Sequence, residues 1–592
     1  MRWLASGVAA WAIFALLGLG LYGSALDNPF HYDDRHSVQY NHHIRSLGNL
    51  PAFFTDPATF SSSASGYMYR PLLLATYAAN YAVAGLDVRL LRLVNLGLHV
   101  GCAGLVYLLA RRLVASAGAG WAAGLLMLLH PLHAEPVNYI SARSDLLVTC
   151  LYLGALGLLV ARRHVSSALV YAAALLSKSV AITFPVVALA SGRRQRHPRA
   201  FLTALAALSG AYLAVIWANR FLASSAGKAP RGLLVNAWTQ AKSFAYYLWL
   251  FASPARLTVE HAFTESAPAA AASWAGLALV ASLVYWAWRG RRHAAGQGIA
   301  YFLIVLLPVA LVPLNTMVAE RRMYLATPGL ILAAAWAWRL WEGRCGRAAR
   351  LAGVAWCALA AVLCLQRSHV WGDDVRLWEE AVRRSPGMHR ARLNLALAYE
   401  ARGARGPAME QLQEGLRLRP DFADGWVLLG NIRSDQGDLA GAEEAYRRAL
   451  ALDGGLAGAY HNLANVVRDR GGSAEEVIAL YLEALGRDPH LARARNNLGQ
   501  AYEGAGRLAD ALREYELAVR DPADWEGPGD PELGGTWYNL AWAAERLGEP
   551  ARAAQAYRRA HALLAPLAAD PRYQAFAEEA RQGWLRLEGG MP

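Results

Sequence analysis

Charge is scarce in this chain. Only 17% of its 592 residues are Asp, Glu, Lys or Arg, and 55% are hydrophobic, whereas soluble domains average about 25% charged residues. That balance is unusual for a soluble protein. Cysteine is rare as well. The five present (Cys102, Cys150, Cys345, Cys357 and Cys364) lie in or beside apolar runs without metal-ligand spacing. They read as small core residues, and the chain beyond Cys364 has no disulfide framework. Nucleotide-binding signatures are missing too: no Walker motif, Gly-rich dinucleotide loop or nucleophile elbow occurs, and GLGLYG at 18–23 lies inside an apolar run. The net charge of +13 does not indicate nucleic acid, because the basic residues fall in short clusters between apolar runs: ARRL at 110–113, GRRQRHPR at 192–199, WRGRRH at 288–293 and GRCGRAAR at 343–350. Such spacing marks the cytoplasmic loops of a polytopic membrane protein.

What the chain has in abundance is hydrophobic length. Apolar runs occur at roughly 8–26, 90–110, 118–132, 145–161, 200–222, 271–288, 299–314, 324–341 and 351–366, and a span needs about 20 residues. Residues 165–191 are flanked by basic clusters at both ends, which predicts two short helices folded around Lys178. Segments 71–86 and 238–252 read as helices lying on the membrane surface, the second because Gln240 and Lys242 are costly in lipid. The count is eleven crossings. Arg2 and the other basic clusters fall inside, with the loops 27–89, 133–144, 223–270 and 315–323 outside. The start, MRWLASGVAAWAIFALLGLGLYGSAL, has the features of a signal peptide, but the many later spans favour a retained helix.

From about Ala391 the pattern becomes charged, Ala-rich and 3.6-periodic. Leu395, Leu429, Leu463, Leu498 and Leu540 mark five repeats spaced 34, 34, 35 and 42 residues apart, which resembles the tetratricopeptide repeat. The second repeat fits best, through Trp426, Leu429, Gly430, Ala442, Tyr446 and Ala449. Stacked helix pairs form a superhelix with a concave groove, and residues 571–588 read as a terminal capping helix. The expected domains are a membrane domain over 1–370 and an extracytoplasmic repeat superhelix over 371–592, all-α throughout.

The outer loops carry the unusual polar residues. NPFHYDDRHSVQYN at 28–41 places Asp33 and Asp34 side by side, flanked by His31 and Arg35, and the same loop ends at Arg70. HPLHAEPVNYISARSDLL holds His130, His133, Glu135, Asn138, Arg143 and Asp145; RLTVEHAF holds Glu260 and His261. Adjacent residues do not share a face, so one carboxylate can meet a substrate while its neighbour points away to orient an arginine or histidine. His-x-x-His-x-Glu resembles a metal site, but Pro131 and Pro136 interrupt any helix that would align ligands. A divalent metal is therefore not favoured, and no cofactor is firmly implied. Lys178 is an expensive residue between apolar segments. In NTMVAERRMYL, Arg321 and Arg322 break the charge rule, and a guanidinium pair outside suits a phosphate.

Together, the acidic pair after the first span, YRPL, HPLHAEPVNYISARSDLL, LLSKSVAITFP, AERRMYL and the repeats resemble the TMTC-type transmembrane and tetratricopeptide-repeat O-mannosyltransferases, over nearly the whole chain. The resemblance implies a GT-C-like glycosyltransferase bundle moving a sugar, mannose favoured, from a polyprenyl- or dolichyl-phosphate carrier to a hydroxyl with inversion at the non-cytoplasmic face. It implies a protein or peptide acceptor in the repeat groove, Asp33 or Asp34 as general base, and Arg321, Arg322, Arg70 and Lys178 at the donor phosphate. The Ala, Gly and Arg content suggests a bacterial relative in the inner membrane, facing the periplasm. Two other readings remain open: a non-catalytic membrane scaffold for the repeats, and a glycan ligase using the same lipid carrier.

Overall fold

Long runs without charge satisfy their backbone groups internally as helices, and this chain follows that rule throughout its first half. The computed structural model describes residues 7–62, 68–191, 197–218, 231–267, 270–314, 316–520, 525 and 530–589, and among these it contains helices and turns but no strands. Arg2, most of the basic stretch at 192–199, Asn315 and most of the Pro/Gly-rich loop before the last repeat lie outside the described residues. Two compact units divide the chain. The first holds Met1–Gln39, His43–Ser61 and Gly66–Ala391; the second holds Arg392–Pro592 with Tyr40–His42 and Ser62–Ser65.

Among the described residues of the first unit, seven helices are long and apolar enough to cross a membrane by length and composition: Val8–Ala25, Val88–Leu113, Ile140–Val160, Arg199–Ala218, Ala271–Arg289, Ala294–Leu311 and Glu320–Val370. Ala117–Leu129, His164–Leu175 and Ser179–Ser191 are shorter apolar helices, and the last two meet at Lys178. The 51-residue stretch Glu320–Val370 is not straight. Gly346 adopts φ 39° and ψ −96°, and the two arms fold back so that Arg367 lies 3.6 Å from Glu320. This hairpin brings residues 321 and 371–378 to one end of the unit, with the first loop and Ala134–Asn138. Leu233–Ala252 is 20 residues long and half polar along one face: Asn236, Thr239, Gln240 and Ser243 are all buried. Gln240 donates to the Met317 carbonyl, so these polar groups serve the loop before Glu320.

The second unit is a succession of antiparallel helix pairs. Small residues set their spacing: a Cβ on Gly430 would lie 2.5 Å from the Tyr446 ring, and one on Gly499 would lie 2.5 Å from Tyr515. Each tyrosine thus occupies the place that the facing helix leaves empty, and the marker leucines Leu395, Leu429, Leu463, Leu498 and Leu540 are at most 5% exposed. Gly437 and Gly471, both at φ 78°, turn the chain between paired helices, a conformation that costs glycine little. The final helix runs Pro571–Gly589.

Candidate functional site

Asp33 and Asp34 have opposite surroundings. Asp34 is fully buried, and its two carboxylate oxygens accept backbone N–H bonds from Ser141 at 2.7 Å and His31 at 3.1 Å. It clamps the first loop to the 139–142 turn, so it orients backbone rather than an arginine or histidine. Burial pushes its pKa up, against the pull of those hydrogen bonds. The Asp33 side chain is 43% exposed. Burial would raise its pKa too, but His36, Arg321 and the Tyr139 hydroxyl outweigh that and hold it below the ordinary carboxylate range. Tyr32 sits at φ 53°, a strained conformation for a bulky residue that costs about 1–3 kcal/mol and persists only where the surroundings enforce it. Here Tyr139 and Trp378 pack against the Tyr32 ring, and Arg390 donates to its hydroxyl at 3.2 Å.

Cations surround this carboxylate. Arg321 Nη1 lies 3.3 Å from Glu135 Oε1, with its guanidinium 6.0 Å from the Tyr139 ring, and its charge acts on Asp33. Lys178 Nζ pairs with Asp145 at 2.6 Å. Arg70 donates to Ser144 Oγ at 3.2 Å and is acted on by both Asp145 and Arg321. Three cations, Arg70, Lys178 and Arg321, therefore share one region with Glu135 and Asp145. Burial raises the Glu135 pKa from 4.5 to about 7, Arg321 opposing and Glu320 reinforcing the shift. A carboxyl that is partly protonated near neutrality leaves the region cation-rich, which suits an anionic ligand.

The family models match the second unit. Tetratricopeptide-repeat models match residues 423–456, 468–528 and 535–561. The protein O-mannosyl-transferase Tmtc1 of Drosophila melanogaster is 34% identical over 190 residues, 30% of this chain and 22% of its own length. TMTC2 of Mus musculus is 31% identical over 160 residues, 26% of this chain and 19% of its own. TMTC3 of Mus musculus is 21% identical over 603 residues, which cover 88% of this chain and 64% of that protein. The chain is similar to these TMTC proteins over the stretches given. It spans about a fifth of the length of the first two relatives and under two thirds of the third. Among solved structures, the crystal structure of MamA is 26% identical over 25% of this chain and 85% of its own, with a TM-score of 0.23.

The remaining outer-loop residues hold the framework. Arg143 is fully buried and donates to Asn95 Oδ1 at 2.8 Å, Asn80 Oδ1 at 2.6 Å and the Leu91 carbonyl at 2.7 Å, with its guanidinium over Tyr77. His130 bonds the Phe251 carbonyl and the Leu132 amide; His133 bonds the Met127 carbonyl and Thr327 Oγ1. Both nitrogens of each ring are thus engaged within the protein. His261 lies 3.3 Å from Glu320, which also meets Arg367, itself paired with Glu380. Glu260 is buried, and its carbonyl accepts from Ser385 Oγ. Arg322 turns back on its own loop, donating to the Met317 carbonyl and Thr316 Oγ1, so only Arg321 of that pair joins the Asp33 region.

Sequence reasoning did not single out Tyr139, Arg92, Asp374, Glu320 or Arg390. Arg92 is 1% exposed and binds the carbonyls of Asn28, Pro29 and Asn138, fixing the approach to the acidic pair. Asp374 pairs with the buried His31 at 2.6 Å. One signal was available: an arginine inside the apolar start of Val88–Leu113.

Proposed function

We propose that the first unit is a glycosyltransferase that moves a sugar, mannose favoured, from a polyprenyl-phosphate carrier to a hydroxyl on a protein or peptide presented by the repeats. The observation that carries the reading is a half-exposed, anionic Asp33 beside a region where three cations meet two carboxyls, one of them partly protonated near neutral pH. Asp33 is the general base: it takes the acceptor hydroxyl's proton as that oxygen attacks the anomeric carbon. The bond from anomeric carbon to phosphate oxygen breaks on the opposite face, which inverts the centre. Arg321, assisted by Arg70 and Lys178, takes up the charge gathering on the departing polyprenyl phosphate, so no separate acid is required. Tyr139 and Glu135 hold Arg321 in place. The printed names of the relatives, protein O-mannosyl-transferases, agree with this chemistry, and the placement of the basic clusters supports an extracytoplasmic site.

The test is transfer itself. Purified full-length protein is incubated with labelled polyprenyl-phosphate mannose and a Ser/Thr-containing acceptor; label on the acceptor, with release of polyprenyl phosphate, is expected. Tight binding of acceptors with no turnover on any polyprenyl-phosphate sugar would support a scaffold instead.

A further inference from the structure

A partly open, apolar cavity lies between Val88–Leu113, Arg143–Val160, Phe184–Ser191, Ala294–Leu311 and Glu320–Val370. Of the described side chains that line it, Ser191, Gln297 and Tyr301 are polar; the other described lining residues are hydrocarbon or glycine. Two of its walls meet through glycine: a Cβ on Gly298 or Gly329 would lie 2.3 Å from the other's carbonyl oxygen. Gly329 then presents no side chain to the cavity beside it. Tyr301 is 5% exposed, and its hydroxyl has no hydrogen-bond partner, which is rare for a buried polar group and calls for an explanation.

This cavity is remote from Asp33. At 1.5 Å per residue, Leu113 on its wall is about 30 Å along the helix from Arg92, which grips the first loop. Its far end instead coincides with a ring of arginines. Leu113 follows Arg111 and Arg112, Val160 precedes Arg162 and Arg163, and Gln297 Nε2 donates to the Arg291 carbonyl at 3.4 Å, beside Arg292. Arg112, Arg162, Arg163 and Arg292 are exposed. In a membrane, a hydrocarbon-lined space open toward arginines matches an amphiphile with an apolar chain and an anionic head.

We infer that this cavity binds one acyl chain of an anionic phospholipid from the leaflet opposite Asp33, with the lipid phosphate held by the arginine ring. A neutral lipid fills the apolar part but forfeits the arginines. Each arginine near an anionic headgroup is worth enough that two of them give at least about a tenfold preference.

Delipidated full-length protein in detergent is titrated with phosphatidylglycerol and with phosphatidylcholine of identical chains, bound lipid being read by native mass spectrometry. Phosphatidylglycerol should bind at a saturable site at least about tenfold more tightly. Ala190→Phe, which fills the cavity from its rim, should remove that site. A triple variant, Arg112→Gln with Arg163→Gln and Arg292→Gln, leaves the cavity open and should reduce phosphatidylglycerol binding to the phosphatidylcholine level. Equal affinity of the wild type for the two lipids overturns the assignment, as does unchanged binding by Ala190→Phe. Should Ala190→Phe fail to fold, the triple variant decides: an undiminished preference for phosphatidylglycerol refutes the proposal. Stronger displacement by polyprenyl phosphate than by phosphatidylglycerol does so as well.

Discussion

Asp34→Asn should weaken the fold and spare the chemistry. Asp34 is buried and spends both oxygens on backbone amides, Ser141 N–H at 2.7 Å and His31 N–H at 3.1 Å. Asparagine keeps one acceptor and replaces the other by an NH₂ that faces an N–H donor. One charge-assisted bond is lost, worth about 1.5–3 kcal/mol, and the amide left behind is buried without a partner. Asp34→Ala loses both bonds and should roughly double that cost. The assay is thermal melting of the purified protein together with sugar transfer per folded molecule. Melting should fall for Asp34→Asn and further for Asp34→Ala, while transfer by the folded fraction of Asp34→Asn stays within a few-fold of wild type. A variant that melts normally but transfers nothing would refute the assignment of Asp34 to the framework and exchange the roles of the two acids.

Arg321→Lys keeps the charge but loses the planar fork, so turnover should fall even at saturating donor if the contact strengthens as the phosphate departs, whereas Arg322→Lys should be nearly silent; rates across donor concentrations separate the two. Arg143→Met should reduce folded protein sharply, because Asn80, Asn95 and the Leu91 carbonyl each lose a buried partner at about 1–3 kcal/mol, with activity per folded molecule little changed. Glu135, with its pKa raised from 4.5 to about 7 by burial, holds a proton in the folded state that the unfolded chain has released between those values. Its contribution to stability is therefore full below about pH 4.5 and lost as pH rises through about 7. Melting temperature measured across that window should fall, and Glu135→Gln should flatten the fall.

Helix type and order were legible in the sequence because apolar length and a 34-residue period are directly physical quantities. The repeat leucines and Gly430 landed where the period put them. The acidic pair was legible as a site with two roles but not as to which acid takes which, since that is set by partners distant in the chain: the Ser141 amide on Asp34, and Arg321 and Tyr139 near Asp33. Arg321 stood out by violating the charge rule; Arg322 carried the same signal but closes its own turn. Arg143, His130 and His133 look in sequence like site residues because a buried brace between helices and a ligand-binding group draw on the same polar types. Their hydrogen-bond partners distinguish them, and those partners come from segments far apart in the chain. Arg390 and Asp374 lay hidden for a related reason: they follow the last apolar run, and the Gly346 fold brings the residues after it back to the first loop.

The most direct measurement is the transfer rate of Asp33→Asn against wild type, with labelled polyprenyl-phosphate mannose as donor. The substitution keeps size and leaves the Tyr139 and Ser37 bonds to the Asp33 backbone in place, so folding and melting should be unaltered. Loss of a general base costs ~10²–10⁴-fold in rate, and a fall of that size with donor binding retained is the predicted result. Near-normal transfer by a normally folded Asp33→Asn protein would contradict the central claim.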